Sequence, residues 1–309
     1  MTTLRIGTRG SELALKQSAL LAEALKSAAP EHDVEIITIQ TLGDRKQGTA
    51  LAGVSDKKEW VIDLELALLE NRIDLAIHSG KDVPAELEPG TTLLPVLKRE
   101  NPFDVFIGKK SSGEQRLSLA DLENGATVGT ASLRRKSALL NLRPDLKIID
   151  HRGNVPTRIK KLDQSSELSG IVLAAAGILR LGIRDLQYEV LSLAQMIPGV
   201  NQGILAAQFR AQDADVRSLL EGISDTATTA AFVAERRCVE LLEGDCNSAV
   251  GIFAQVKNDK LELSTIVYDQ QHGKHIEKTE VGSKDAPEHL GAAVAQELLS
   301  MGARELLDR

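Results

Sequence analysis

The stretch Leu75-Ala76-Ile77-His78-Ser79-Gly80-Lys81-Asp82-Val83-Pro84 joins a short apolar run to a polar turn with one carboxylate beside one cation. A strand that ends in this way delivers charged groups to the carboxyl edge of a sheet, where α/β folds bind their ligands. An ordinary polar turn closed by Pro84 is an equally good interpretation of this stretch taken alone. The rest of the chain has to decide between the two.

Short apolar runs alternate with longer runs of helical periodicity on both sides of this stretch. The predicted strands before residue 200 are 4–6, 34–41, 74–77, 105–107, 127–129, 147–149 and 171–174, and the predicted helices before residue 220 are 11–28, 61–70, 132–142, 155–162 and 204–212. Alternation of strands and helices predicts a mostly parallel sheet. The pattern restarts after Asn101-Pro102, which indicates two lobes of similar architecture.

The last third of the chain has a different order of elements. A predicted helix at 226–242 precedes three strands, 249–257, 261–268 and 274–281, and a helix at 287–299 follows them. We therefore predict an α/β fold with two similar lobes of mostly parallel sheets, as in periplasmic binding proteins, around a cleft, plus a small C-terminal α+β domain with a three-stranded antiparallel sheet. The predicted domains are residues 1–100 completed by 200–221, residues 101–199, and residues 222–309.

Composition excludes several classes of function. Hydrophobic residues make up 42% and charged residues 26% of the 309 residues, which is typical of a soluble globular protein. Aromatic residues make up only 3% and the net charge is −7, and both values disfavour a nucleic-acid binder. Two cysteines and no signal-peptide or membrane-span pattern lead us to expect a cytoplasmic protein that contacts neither membrane nor nucleic acid. The acidic charge and the three predicted modules favour a monomer, although the sequence leaves the oligomeric state open.

Arginines occur at two strand–helix junctions of similar sequence. Gly7-Thr8-Arg9-Gly10-Ser11 and Gly129-Thr130-Ala131-Ser132 each follow a predicted strand and open a helix, and Arg134-Arg135 follow the second. A helix N-terminus favours anions, and Arg adds a planar fork that grips a carboxylate. Because Arg opposes the helix dipole there, an anion is indicated. A solvated position is the simpler interpretation for a single Arg and a weaker one for the adjacent pair.

Three more arginines, Arg152, Arg158 and Arg180, follow other predicted strands. If these strands are parallel, the loops after them meet at one edge of the sheet. Such a cluster in an acidic protein indicates a ligand with several carboxylates or phosphates. No Walker sequence and no G-x-G-x-x-G occurs, so nucleotide phosphates are the weaker option.

The cysteines and histidines differ in their settings. Cys246 lies on a loop between a helix and a strand, where an accessible thiol suits a nucleophile or a covalent anchor. Cys238 lies within a helix, where we expect a buried, inert thiol. His78 and His151 flank the candidate loops, but such histidines are more often structural, and no spacing predicts a metal site.

Seven segments, in order and spanning nearly the whole chain, together resemble the porphobilinogen deaminase (hydroxymethylbilane synthase) family. They are Gly7-Thr8-Arg9-Gly10-Ser11 with Leu13-Ala14-Leu15, Ala67-Leu68-Leu69-Glu70-Asn71-Arg72, His78-Ser79-Gly80-Lys81-Asp82-Val83-Pro84, Val128-Gly129-Thr130-Ala131-Ser132-Leu133-Arg134-Arg135, Arg143-Pro144-Asp145-Leu146, Arg152-Gly153-Asn154-Val155 with Thr157-Arg158, and Leu242-Glu243-Gly244-Asp245-Cys246. The resemblance implies three domains and a covalent dipyrromethane cofactor made of two condensed porphobilinogens.

The resemblance also implies a transferase of haem and porphyrin biosynthesis. It would condense four porphobilinogens head to tail onto the cofactor, release ammonia each time, and free the linear tetrapyrrole hydroxymethylbilane by hydrolysis. By matching position, Asp82 would be the catalytic acid and Cys246 would hold dipyrromethane through a thioether. Loss of ammonia leaves an electron-poor azafulvenium, whose charge a nearby carboxylate stabilises, and the same acid can move the departing ring proton.

The remaining residues that the resemblance implies would bind acetate and propionate groups or close the site. On the cofactor side they are Lys81, Ser79, Thr130, Ser132, Arg134, Arg135, Arg158 and Asp44. On the substrate side they are Arg9, Ser11, Gln17, Arg152, Arg180 and Gln202, and in the lid loop they are Lys57 and Trp60.

Three segments depart from the family pattern. Ser55-Asp56-Lys57-Lys58-Glu59-Trp60 stands where the family's mobile loop usually carries Gly-Gly-Lys-Gly-Leu-Phe, and Gly53 stands where Lys is common. Asn247-Ser248-Ala249-Val250-Gly251 follows the cysteine in place of Val-Pro-Ile-Gly-like residues, and Asn201 replaces a usual Gly. Because the acid and the arginines are retained, we expect an active but divergent enzyme.

Two other functions fit parts of the pattern. A two-lobed protein of the solute-receptor or regulator type would close on a carboxylated ligand without chemistry. A degenerate family member would bind pyrroles without polymerising them, as the altered lid loop allows. The mass of two condensed porphobilinogens on the chain, lost in Cys246→Ser, favours the enzyme, whereas an unmodified chain favours a binder.

Overall fold

The computed structural model describes residues 3–41, 58–84, 86–111, 115–242, 249–269 and 273–307. Within these ranges no helix combines the length and apolar character that a membrane span requires. The same ranges hold no group of three or more His, Cys, Asp or Glu side chains that could bind a metal ion.

The first sheet has the strand order β2-β1-β3-β10-β4. Its strands are β1 (Thr3–Thr8), β2 (Asp33–Thr38), β3 (Leu75–Ser79), β4 (Thr91–Val96) and β10 (Leu205–Arg210). The associated helices are α1 (Glu12–Ala28), α2 (Lys58–Leu69) and α6 (Ala214–Gly222). β10 runs opposite to the other four strands, and α1 and α6 pack on one face of the sheet.

The second sheet repeats this topology in the order β7-β6-β8-β5-β9. Its strands are β5 (Asp104–Gly108), β6 (Thr127–Gly129), β7 (Lys147–Ile149), β8 (Leu168–Ala174) and β9 (Glu189–Val190). Its helices are α3 (Leu133–Leu142), α4 (Val155–Gln164) and α5 (Ala175–Arg180). Here β5 is the strand of opposite direction.

The two antiparallel strands mark the places where the chain crosses between the lobes. Residues 97–103 lead from β4 into β5, and residues 191–204 lead from β9 back into β10. Each lobe therefore receives one strand directly after a crossing. The prediction of two similar lobes with mostly parallel sheets is confirmed.

The C-terminal part is an antiparallel sheet of order β11-β12-β13 packed against helices. Its elements are α7 (Thr226–Leu241), β11 (Val250–Lys257), β12 (Lys260–Tyr268), β13 (His275–Ser283), α8 (Pro287–Ser300) and α9 (Ala303–Leu307). α7 and α8 share a core with the inner sheet face, including Cys238 and Val294, which are fully buried. The predicted three-stranded module is confirmed, and we propose the three domain bounds given above on the basis of these sheets.

The predicted helix at 204–212 is wrong, because this segment forms β10. Residues 204–209 are all buried, since β10 lies between β3 and β4 with both of its faces covered. A short apolar run that is buried on both faces lacks the alternation of an amphipathic strand, so periodicity cannot separate it from a helix. The helix in this region is α6, which begins after the cap residue Asp213.

Candidate active site

The candidate site lies where the turn after β3 meets the helix starts of the second lobe. Gly80–Asp82 forms a single 3-10 turn at the end of β3. The Asp82 side chain is exposed and that of Lys81 is half-buried. The charge of Asp82 acts on Arg135 and Arg158 of the second lobe, so the carboxylate faces the cations across the cleft.

The surroundings of Lys81 in this turn lower the pKa of its ammonium. Burial, together with the charges of Arg135 and Arg134, lowers the pKa of its ammonium to about 8. The carboxylates of Asp82 and Asp104 oppose this effect. Lys81 makes no hydrogen bond within the part of the chain that the structure describes, so its three donors are available to an anion.

The arginine pair of α3 is buried and shares one carboxylate. Arg134 Nη1 lies 2.8 Å from Asp104 Oδ2, and Arg135 Nη2 lies 2.8 Å from Asp104 Oδ1. Burial alone would raise the pKa of Asp104, but the two guanidinium charges outweigh it and hold that pKa well below its usual range. Two buried cations thus face one buried anion.

Arg134 keeps hydrogen-bond donors that no described residue accepts. Its Nη1 donates to Asp104 Oδ2 and to the carbonyl of Ile197, both at 2.8 Å. Its Nε and Nη2 groups find no acceptor among the described residues. A guanidinium has five N–H donors and no acceptor, so these remaining N–H groups are available to an anionic ligand.

Helix caps and one side-chain contact organise the hydroxyl groups of the site. Ser11 caps α1 by accepting from the Ala14 N–H, and Ser132 caps α3 by accepting from the Arg135 N–H. Gln17 is buried and donates to Ser79 Oγ at 2.9 Å, which ties α1 to the end of β3. The two similar junctions of the sequence are therefore two capped helix starts, one in each lobe.

Thr130 and Arg9 also lie at these junctions. Thr130 is buried, and its Oγ1 accepts from the Ser132 N–H at 3.2 Å. Arg9 is half-buried at the end of β1, and its charge acts on His78.

Arg158, Arg152 and Arg180 have three different settings. Burial lowers the pKa of Arg158 to about 10, and the charges of Arg135 and Arg152 add to that effect. Arg152 is exposed and pairs with Asp150 at 3.2 Å. Arg180 donates to the carbonyl of Gly203 at 2.7 Å, in the second crossing between the lobes.

Gln202 belongs to this crossing rather than to the open cleft. The residue is 1% exposed, and its Nε2 donates to the Pro102 carbonyl at 2.7 Å and to Asp104 Oδ1 at 3.1 Å. Its amide therefore joins both crossings to the carboxylate that holds the arginine pair.

A second buried ion pair ties the crossings to the C-terminal domain. Arg99 Nη1 lies 2.6 Å from Glu235 Oε1, and Arg99 Nε donates to the Gln202 carbonyl. Glu235 also accepts from the backbone N–H groups of Asn201 and Ala254. Helix α7 thus supports both crossings from behind the cleft.

The two histidines beside the site have structural roles, as predicted. His78 is buried and its Nε2 lies 3.1 Å from Gln208 Oε1, while burial lowers its pKa to about 4. His151 Nε2 lies 3.0 Å from the Arg158 carbonyl. Cys238 is fully buried, which confirms its prediction, and burial raises the pKa of its thiol to about 12.

Asp44, Lys57 and Cys246 lie outside the described residues, as does the side chain of Trp60. The residues that flank the cysteine segment are described. Ala249 is buried and its carbonyl accepts from the Tyr268 N–H at 3.0 Å. Tyr268 in turn lies within range of the Arg134 charge, so Ala249 and Tyr268 are linked to the neighbourhood of the arginine pair.

Sequence reasoning missed Asp104, Gln208 and the Arg99–Glu235 pair. Asp104 had a usable signal, because an acid opens an otherwise apolar strand directly after Pro102-Phe103. Glu235 had no such signal in the sequence, because a charged residue within a helix is ordinarily solvated.

Fold and site together define a two-lobed α/β protein in which several cations gather near the exposed carboxylate of Asp82. The family profile described as "Porphobilinogen deaminase, dipyromethane cofactor binding domain" matches residues 4–218, and that described as "Porphobilinogen deaminase, C-terminal domain" matches residues 229–300. The chain belongs to the porphobilinogen deaminase family. It is accordingly a transferase of tetrapyrrole synthesis with a dipyrromethane-binding domain.

Curated relatives match over almost their full length. Porphobilinogen deaminase of Desulforamulus reducens is 39% identical over 305 residues, which cover 99% of this chain and 97% of the relative. The enzyme of Desulforudis audaxviator is 41% identical over 304 residues, covering 98% and 96%. Among solved structures, the periplasmic VFT2 domain of BvgS from Bordetella pertussis is 13% identical with a TM-score of 0.43, covering 72% of this chain and 86% of that one.

The described residues fit a dipyrromethane cofactor. Each pyrrole of that group carries two carboxylates, and Arg134 and Lys81 offer donors for which the described residues supply no acceptor. Four cations, Lys81, Arg134, Arg135 and Arg158, face two carboxylates, Asp82 and Asp104. The excess of positive charge suits an anionic group of this kind.

Proposed function

We propose that this protein condenses four porphobilinogens head to tail onto its dipyrromethane cofactor and then hydrolyses the product to release hydroxymethylbilane. The observation that carries the proposal is that the exposed carboxylate of Asp82 interacts with the charges of Lys81, Arg135 and Arg158. Beside them, Lys81 and Arg134 keep donors for which the described residues supply no acceptor. A non-catalytic binder would need the cations but would have no use for a carboxylate among them.

Asp82 acts on the charge and the proton of the reaction. In each cycle the carbon–nitrogen bond of the substrate's aminomethyl group breaks, ammonia leaves, and a new carbon–carbon bond forms to the preceding ring. The Asp82 carboxylate stabilises the positive charge that develops on the substrate pyrrole. It then takes the proton that leaves the joined ring carbon, which restores the aromatic pyrrole.

The cations orient carboxylates and keep the pyrrole rings in register with Asp82. Arg134 and Lys81 supply unused donors, and Arg158 adds a half-buried guanidinium from the next helix start. Arg9, Ser11, Arg152 and Arg180 serve the substrate side of the cleft. When bound, dipyrromethane supplies the free ring carbon at which the chain begins.

Cys246 is the attachment point of the cofactor in this proposal. Support comes from the described flank of its segment, because Ala249 pairs with Tyr268 and Tyr268 lies near Arg134. The alternative thiol, Cys238, is fully buried. We further propose that the enzyme is a cytoplasmic monomer, which light scattering on the purified chain tests for its oligomeric state.

The experiment for the function compares Asp82→Ala with Asp163→Ala in a porphobilinogen turnover assay. Asp163 pairs with Arg116 at 2.8 Å and is a carboxylate of the second lobe outside the site. We expect Asp82→Ala to keep the fold and to lose about 10²–10⁴-fold in rate, since general acid–base action is worth that much. Near-normal turnover in Asp82→Ala removes this residue from the mechanism.

A further inference from the structure

The carboxylate of Asp104 forms ion pairs with Arg134 and Arg135 at the start of α3, and it also contacts both crossings between the lobes. Asp104 is the first residue of β5, directly after the crossing at 97–103, and it is 0% exposed. Gln202, from the crossing at 191–204, donates to Asp104 Oδ1 at 3.1 Å. One buried carboxylate therefore joins α3 to both chain connections.

Asp104 occupies part of each guanidinium, and it is Arg134 that keeps groups for which the described residues supply no acceptor. Arg135 donates through Nε to Asp104 Oδ1 at 2.9 Å and through Nη1 to the Val172 carbonyl at 3.1 Å. Arg134 donates through Nη1 alone, so its Nε and Nη2 remain without an acceptor among the described residues. Because a guanidinium is planar and rigid, fixing one edge also fixes the direction of the other.

Charge balance gives the carboxylate a second effect. Two buried guanidiniums against one carboxylate leave one positive charge uncompensated, and a ligand carboxylate can balance it. Without Asp104, two buried cations would lie side by side with no internal partner, and like charges at this range repel strongly. The arginines would then move apart or toward solvent and lose their common direction.

We propose that Asp104 is a positioning residue for cofactor binding, which aims Arg134 and Arg135 at the carboxylates of dipyrromethane and takes its own position from the two crossings. Asp104 is held by the crossing at 97–103, which it follows directly, and by the hydrogen bond from Gln202 of the crossing at 191–204. The inference rests on the proposed function, because it assumes that these arginines hold the cofactor. It adds that the binding geometry is set by a residue that touches neither cofactor nor substrate.

The test measures cofactor loading rather than turnover. Full-length chain produced in a host without porphobilinogen is mixed with porphobilinogen, and intact-mass spectrometry follows the increment of two condensed units with time. Asp104→Asn keeps the size of the side chain and removes its charge. We expect loading to slow by about 10- to 100-fold, the range that misplaced binding groups cost.

Two controls separate positioning from loss of stability. Leu139→Ala removes a fully buried side chain from α3 and leaves both arginine residues unchanged, so we expect a lower melting temperature but loading at the wild-type rate per folded molecule. Asp163→Asn removes a carboxylate–arginine pair of the same lobe away from the site and also loads normally. A wild-type loading rate in folded Asp104→Asn, or equal slowing in Leu139→Ala, overturns the proposal.

A milder variant covers the case in which Asp104→Asn does not fold. Gln202→Met keeps both ion pairs and removes only the amide, so we expect loading about three- to tenfold slower, the value of one or two hydrogen bonds. Unchanged loading in this variant contradicts the role of the crossings. If the wild-type chain itself gains no mass, the proposed function fails instead, so the two failures are distinguishable.

Discussion

Gly80 is the position at which the smallest change should disturb the turn that carries Asp82, the acid of the proposed mechanism. A Cβ atom there would lie 2.9 Å from Asn201 Cβ, 3.2 Å from the Asn201 carbonyl oxygen and 3.3 Å from the Ile204 carbonyl oxygen. Two of these atoms are backbone, and the Gly80 N–H donates to the Ile204 carbonyl at 2.8 Å. In Gly80→Ala the turn itself must therefore move.

The expected cost follows from this crowding. Overpacking a tight site costs about 1–3 kcal/mol of stability. Asp82 lies two residues further along the same turn, and a displacement of about 1 Å at a reacting group can cost about 10²-fold in rate. The contacts at Gly80 are relieved when the turn moves by less than about 1 Å. We therefore expect kcat to fall about tenfold, which is less than the loss caused by a displacement of about 1 Å.

The assay combines steady-state formation of tetrapyrrole with thermal unfolding of the same samples. Asn201→Gly removes the nearest Cβ and suits the left-handed backbone at this residue (φ 55°), so Gly80→Ala/Asn201→Gly should regain part of the lost rate. Gly177→Ala is the matched control, because its Cβ would meet only Val155 at 3.4 Å and Leu13 at 4.0 Å. Wild-type kcat in Gly80→Ala, or no recovery in the double variant, refutes the reasoning.

Three further predictions concern single side chains. With a pKa of about 8, the Lys81 ammonium loses its proton as pH rises through 8, so cofactor loading should be fastest below pH 8 and fall above it. Lys81→Arg, which stays charged, should flatten this pH profile. A wild-type loading rate that does not change with pH between about 7 and 9.5 contradicts the prediction. Glu235→Ala leaves Arg99 buried without its carboxylate and should cost about 3–5 kcal/mol in urea unfolding, whereas a loss within error of zero would exclude the ion pair as a support of the crossings. The Cys238 thiol, with its pKa raised to about 12, should resist alkylation in the native enzyme and react only in denaturant, and rapid native labelling of Cys238 would show that it is not buried.

The sequence allowed the lobes and their helix starts to be predicted because these features are local. Ser11 and Ser132 each stand between an apolar strand and a periodic helix, and both are caps in the structure. The β10 segment was assigned to a helix because its neighbours β3 and β4 are more than 100 residues away in the chain, and burial on both faces erased the alternation.

The sequence predicts the cations of the candidate site, but it does not predict the residues that position these cations. Arg134 and Arg135 draw attention because Arg opposes the dipole at a helix start. Their partner Asp104 is 30 residues earlier in the chain, and Gln202 is 67 residues later than Arg135. Such pairs follow from how the two crossings pass between the lobes, which no local pattern encodes.

The most direct measurement for the whole account is the intact mass of the purified protein and of two cysteine variants. We predict that the wild-type chain and Cys238→Ala carry the mass of two condensed porphobilinogens and that Cys246→Ser carries none. An unmodified wild-type chain, or an increment that survives in Cys246→Ser, would contradict the claim that a thiol-anchored polyanion occupies the cleft beside Asp82.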